Sequence, residues 1–423
     1  MADIRATRIF ESPTDAAYFF GYFNTPQVSA DGTRLLALRV SRFDRVPEPD
    51  DVAEVGWFEI GTAAPVFHKI GESTAFNWQQ GAMLQFLGPD FDTRVIWNHF
   101  DGSAYRARIL DLRSGEHRDV PAIYSPFPDG KAAVTVDFER HAWCRRGYSY
   151  GNVMKPEKNV PVVSGDAIWK VDLETGRSRP IVQLSDMMRL CPHSSMDGAT
   201  HYLEHTTVNP SGSHFVFLHR WRHDNGIHSR LLAANSDGGD VRILNDSGRM
   251  SHFCWASDTV LLGYGGRANA VNALRRNRAL LKMIFRPLMP FYKRMVKDSS
   301  GLAKSLTGDA YYLFDVENPG QLRLVAPSMR AEDGHPAMLP GGRHFVTDTY
   351  ARAAHGQRPR LFVVNLETDT HQVLDELGSI SAYDETPVRC DLHPRVSPSG
   401  DIVSIDTMDG GWRRVYAYRL ERA

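Results

Sequence analysis

A short turn carrying glycine, set between two runs of alternating apolar residues, recurs five times along this chain. It appears at Asp31-Gly32, Asp129-Gly130, Ser211-Gly212, Gly341-Gly342 and Ser399-Gly400. Asp-Gly between alternating strands is the strongest short-range hairpin signal, because glycine supplies the positive φ that a tight turn requires. A second hairpin signal follows most copies: Ile109 to Gly115, Ile168 to Gly176, Leu231 to Gly239, Tyr312 to Gly320 and Leu361 to Asp369. Two hairpins in tandem make a four-stranded sheet, and sheets of this kind repeated along a chain make a β-propeller.

Counting the units gives seven, opening near Asn24, Trp78, Tyr124, His205, His252, His335 and His393. The expected fold is therefore all-β, a seven-bladed β-propeller, with residues 1–423 forming one domain. A pair of irregular β-sandwiches is the alternative. The last unit, Val396 to Leu420, holds only three strands. The alternating stretch Ile4 to Phe10 is expected to supply the fourth, which would close the ring and remove an open sheet edge.

One segment breaks the repeat. Residues 267–308, inside the fifth unit, carry apolar residues at helical spacing (Leu274, Leu281, Phe285, Leu288) among mostly basic charges, with Pro287 and Pro290 as breaks. This predicts a short basic helical insertion. It reads either as a lid on the ring or, over 267–304, as a surface for an anionic membrane.

Composition bounds the rest. The 423 residues carry a formal net charge of −1, which excludes a whole-molecule field that would draw the chain onto nucleic acid. No secretory signal or membrane-spanning run is visible, and the four scattered cysteines form no metal-binding spacing. The expectation is a cytoplasmic protein with reduced cysteines, either free or peripheral at the membrane's inner face.

In a propeller the positions that open each unit face one another across the central funnel. Here they are Asn24, Gln79 with Gln80, Tyr124, and then four histidines in succession: His205, His252, His335 and His393. A single such histidine is ordinarily structural, but four gathered at one mouth either bind a metal or share protons. Asp391 stands two residues before His393, on the same side of an extended segment. Arg389 and Arg395 flank the pair, His201 and Glu204 stand beside His205, and Arg230 opens the strand after the fourth hairpin. Histidine, arginine and carboxylate together suit an anionic substrate such as a uronate-bearing sugar.

Ser251-His252-Phe-Cys-Trp255, Gly334-His335-Pro-Ala-Met-Leu-Pro340 and Asp391-Leu-His393-Pro-Arg-Val-Ser-Pro-Ser-Gly400 resemble the seven-bladed propeller polysaccharide lyases. The nearer likeness is to the oligogalacturonate lyases, the more distant to the ulvan lyases. Phe20 to Asn24, Trp78 to Gly81 and Asp348-Thr-Tyr350 also resemble a wider group of such propellers. The resemblance implies that His252 is the base, that Arg230 pairs with substrate, and that His335 with the pair Asp391 and His393 holds a divalent metal. Mn²⁺ is the favoured ion, with Zn²⁺ or Ca²⁺ as alternatives. The family carries His-x-His where this chain has Asp391-Leu-His393, and a further polar ligand where it has Val388, so this site would be harder and richer in oxygen.

The implied reaction is β-elimination on a short acidic oligosaccharide. Metal or arginine would neutralise the uronate carboxylate while His252 removes the adjacent proton. His205, Tyr124 or Tyr202 would assist the leaving oxygen, and Gln80, Arg389 and Arg395 would contact substrate. No Gly-x-Ser-x-Gly elbow occurs, so an attached hydrolase chemistry is not indicated. Two other readings remain: a non-catalytic propeller that binds a glycan or a protein partner, and a protease-associated or TolB-like propeller.

Overall fold

The computed structural model describes residues 4–223, 226–276, 307–352 and 356–422. Its strands form seven four-stranded antiparallel sheets, six of them following the chain from the inner to the outer strand and the seventh taking its outer strand from the N-terminal segment. The first sheet begins with Ala17–Phe19 and Arg34–Val40, the second with Gln85–Leu87 and Arg94–Phe100, and the third with Ser125–Pro126 and Ala132–Thr135. The fourth begins with Thr200–Val208, the fifth with Met250–Trp255, the sixth with Ala337–Met338 and the seventh with Arg395–Val396. This is the expected propeller.

The ring closes as expected. Ile4–Glu11 lies antiparallel to Arg414–Arg422 as the outer strand of the seventh sheet, paired from Ile4 opposite Arg422 to Glu11 opposite Tyr416 with one register shift between Arg8 and Phe10. Ile4 and Phe10 point inward and are buried, while Arg5, Thr7 and Arg8 stay accessible, the period-two pattern of a one-sided strand. All four cysteines are unpaired.

The units do not all open where the sequence places them. The inner strand of the fourth sheet starts at Thr200 and runs past His205, which sits at a bulge between Glu204 and Thr207. His252 lies at another bulge, between Met250 and Phe253. A bulge interrupts the ladder and re-aims a side chain, here toward the ring axis. His205, His393 and Asn24 all have positive φ, a conformation uncommon outside glycine and held by the surrounding structure.

Two segments interrupt the ring. Residues 266–309 leave the fifth sheet at Gly265 and return at Ala310, which pair with each other beside Met250. This interruption's two points of attachment therefore lie at the same end of the fifth sheet as His252. It begins with the helix Ala270–Arg276, but residues 277–306, the bulk of the expected insertion and its basic face, lie outside the described residues. No described helix is long and apolar enough to cross a membrane.

The other interruption is not signalled by the repeat. Between Thr135 and Ala167 of the third sheet the chain forms the helix Phe138–Cys144 and then a long strap. Asp137 starts this helix, its carboxylate accepting from the Glu139 and Arg140 N–H groups. Arg140 then ties the strap down, donating to the carbonyls of Lys158, Val160, Pro161 and His201.

Candidate active site at the mouth of the ring

His205, His252, His335 and His393 come together although they belong to four different sheets. Ring centroids are 6.5 Å apart for His205 and His252, 4.0 Å for His252 and His335, and 4.2 Å for His335 and His393. Phe23 forms the floor under the last three, 5.2–6.0 Å from each ring. Phe23 is held there by the turn that precedes it, whose Phe20 and Gly21 N–H groups donate to Asp406. Below the rings the axis opens into a cavity of about 240 Å³ lined in part by Tyr22, Tyr124, His205 and Trp255.

His335 and His393 share one buried carboxylate. Asp348 accepts the His335 ring Nδ1–H at 2.9 Å, the His335 backbone N–H at 2.7 Å and the His393 backbone N–H at 3.0 Å. Because an ionised carboxylate only accepts, the His335 proton must sit on Nδ1, which leaves a lone pair on Nε2. Burial pushes both imidazoles well below the ordinary histidine value, so they are neutral at pH 7. Asp391 completes a triangle with them. One ligand atom from each of the three lies within 4.8 Å of the others, and all three residues are buried. Two neutral imidazoles and a carboxylate, backed by an outer carboxylate that fixes a ring, fit a divalent metal. Arg389 donates to Asp391 through Nε at 3.0 Å.

His252 differs from its neighbours in being partly open, its side chain 14% exposed. Its Nδ1 faces Ser251 Oγ at 3.0 Å, the Tyr350 hydroxyl at 3.5 Å and the Asp333 carboxylate at 3.7 Å. Among the described residues nothing hydrogen-bonds to Nε2. The negative carboxylate beside Nδ1 favours the proton there and leaves the Nε2 lone pair available as a base.

His205 is placed otherwise. Arg145, which can only donate, donates to its Nε2 at 2.9 Å. Its Nδ1–H is thereby fixed and meets Tyr22 Oη at 2.9 Å and Tyr124 Oη at 3.1 Å. Tyr124 in turn receives a hydrogen bond from Gln80 Nε2 at 2.8 Å. Both His205 nitrogens are occupied, so in this arrangement the ring positions its neighbours and cannot take a proton at Nε2 without displacing Arg145. Burial keeps it neutral, its pKa well below the usual value.

Beside it lies the most strongly charged group of the mouth. Glu204, fully buried, is paired with Arg145 at 2.8 Å, His141 at 2.7 Å and Arg220. Burial alone would raise this carboxyl, but Arg145 and Arg220 hold it well below the usual carboxylate range. Two guanidiniums sharing one carboxylate leave a net positive charge at the rim, which suits an anionic ligand.

Three residues expected at the site are elsewhere. Arg230 is buried inside the fourth sheet. Its guanidinium donates to the Met187, Leu190 and Cys191 carbonyls and to His219 Nδ1, so it is fully used in holding the helix Leu184–Arg189. Arg395 is buried in an ion pair with Asp406 at 2.8 Å and fixes the turn that carries Tyr22 and Phe23. Tyr202 is buried beside His141, 6.3 Å between rings. Their sequence positions fall near the mouth, but strand alternation turns them away from it. Conversely, Arg145 and Tyr148 come from the strap, which no motif announces. Asp348 and Tyr350 belong to a segment notable only by resemblance, and Arg220 lies within the strand His214–His223 with no motif around it.

No protein-family model matches the chain, and no curated protein does. Solved structures do. An oligogalacturonate lyase from Vibrio parahaemolyticus aligns over 98% of this chain and 96% of its own, with TM-score 0.59 and 14% identity. The chain shares the fold of the oligogalacturonate lyases. A second such lyase, solved in complex with manganese, aligns over 100% of this chain and 99% of its own, with TM-score 0.59 and 17% identity. The tricorn protease aligns with TM-score 0.50 and 12% identity over 98% of this chain but only 34% of its own, so a similar fold recurs there as part of a longer chain.

Proposed function

We propose that this protein is a lyase that cleaves short uronate-containing oligosaccharides by β-elimination at the mouth of the ring. The observation that carries the proposal is His252. It is a partly exposed imidazole whose Nε2 is bonded by no described residue, 4.0 Å by ring centroid from a histidine of a buried three-donor cluster.

The proton next to a carboxylate is weakly acidic, because removing it builds charge on an already negative group. Fixed positive charge aimed at that carboxylate is the main way to lower the barrier. A divalent metal held by His335, Asp391 and His393 would supply such charge as a Lewis acid. Arg389, Arg145 and Arg220 supply more from the rim. His252 takes the proton at Nε2, the C–H electron pair becomes the new carbon–carbon double bond, and the glycosidic oxygen leaves with its bonding pair. That oxygen then needs a proton, which the His252 imidazolium can return. Ser251 accepts Nδ1–H, and the Asp333 carboxylate 3.7 Å away stabilises the cation in between.

The test is direct. Incubation with Mn²⁺ and a panel of uronate oligosaccharides should produce unsaturated ends that absorb near the ultraviolet edge. His252→Ala should abolish that signal while leaving the fold intact. A panel that yields no product with any divalent ion would sink the proposal. A second reading has its own support: each rim guanidinium at hand already has a carboxylate partner, as expected of a stable binding surface. A non-catalytic glycan-binding propeller would give calorimetric binding of the same panel without product.

A further inference from the structure

The cluster of His335, Asp391 and His393 is almost sealed from solvent. The strap that follows the helix Phe138–Cys144 is tied to this cluster through Arg389. Tyr148 on this strap meets two guanidiniums, that of Arg145 three residues earlier and that of Arg389 from another part of the ring. The Arg145 guanidinium lies 3.7 Å from the centre of the Tyr148 ring, and that of Arg389 5.9 Å from it. Arg389 Nη2 also donates to the Tyr148 hydroxyl at 2.6 Å while its Nε holds Asp391. Arg145 is anchored on Glu204 in the fourth sheet, and Arg389 belongs to the loop leading into the seventh. The strap is also moored to the first sheet's loops, Asn152 donating to the Pro49 and Thr74 carbonyls.

We propose that Tyr148 is a gate that an acidic ligand displaces. Its hydroxyl occupies on Arg389 the place an incoming carboxylate would take, and its ring sits on the cation that would accompany it. A carboxylate makes a stronger, two-pronged bond to a guanidinium than a neutral phenol does, so it competes for Arg389 and frees the strap. A neutral sugar gains no such bond and leaves the gate shut. The site thus selects for charge before any chemistry occurs. This extends the lyase reading above, since that reading names the acid that opens the gate, but the gate itself can be tested without turnover.

Gly147 offers the means. A Cβ placed on it would lie 3.7 Å from the Pro387 Cβ, within the range of a disulfide. In a Gly147→Cys/Pro387→Cys variant, oxidation should lock the strap across the mouth, and the reduced form is its own control for the strain of a side chain at positive φ. After loading with Mn²⁺, release to EDTA should be at least tenfold slower oxidised than reduced, and turnover of a uronate trisaccharide should be lost and then restored by dithiothreitol. A cross-linked form that releases metal and turns over like the reduced one would overturn the gate. Gated metal release without turnover in either form would uphold the gate and sink the lyase. If neither form holds Mn²⁺, tryptic cleavage after Arg146 decides: Tyr148→Ala should be cut about tenfold faster than the parent, and equal rates would overturn the gate.

Discussion

Removing the base is the sharpest test at the level of one residue. His252→Ala is expected to lower kcat by about 10²- to 10⁴-fold, the usual contribution of a positioned general base, with KM little changed. His205→Ala should act differently, because both His205 nitrogens are spent on Arg145 and the two tyrosines. Asp348 is the residue whose role is least visible from its surroundings in sequence. It lies in the sixth sheet yet fixes both His335 and His393. Asp348→Asn should weaken Mn²⁺ binding by about 10- to 100-fold, as loss of a partner behind a metal ligand does, measured by titration against a competing chelator. The histidines themselves were legible in sequence as a series of matching positions. Asp348 was not, because its significance is a distance between two sheets, and no local pattern encodes that.

At the level of one element, the fourth sheet carries a buried histidine wire. Arg230 Nε donates to His219 Nδ1, His219 Nε2 faces His201 Nδ1 at 3.0 Å, and His201 Nε2 meets the Met196 carbonyl. An arginine donor at one end and a carbonyl acceptor at the other fix both rings as neutral tautomers. Burial, with Arg230 nearby, pushes His219 well below its ordinary value, and His201 is lowered too. The unfolded chain binds protons near pH ~6.5 while the folded chain does not, so this stability is complete above that pH and lost as pH falls. Urea midpoints measured from pH 8 to pH 5 should fall, and His219→Gln should flatten the fall. A midpoint unchanged over that range would refute the wire's neutrality. The closing strand makes a second prediction. Phe10 is buried where the two ends of the chain meet, and Phe10→Ala should cost about 3–5 kcal/mol, read as a lower thermal midpoint.

On the scale of the whole molecule, the near-zero net charge conceals a mouth where Arg145, Arg220 and Arg389 gather. The repeat was enough to fix seven sheets, their order and the closure by Ile4–Glu11, because hairpin turns and alternating strands are local and their signals lie within a few residues. It was enough to nominate His252, His335, Asp391 and His393, because the ring symmetry maps equivalent positions onto one axis. It was not enough to separate Arg230 and Arg395 from the true rim cations. All are arginines in polar stretches, and a bulge, a step of strand alternation or the path of a loop decides whether such a side chain faces the axis or the inside of a blade. Nor did sequence disclose the strap, whose Arg145 and Tyr148 gain their meaning only by spanning from the fourth sheet to the seventh. The architecture thus belonged to the sequence, since it is a sum of short-range choices. The chemistry of the mouth belonged to the tertiary structure, since it depends on which of many similar polar groups the folded ring brings within hydrogen-bonding distance.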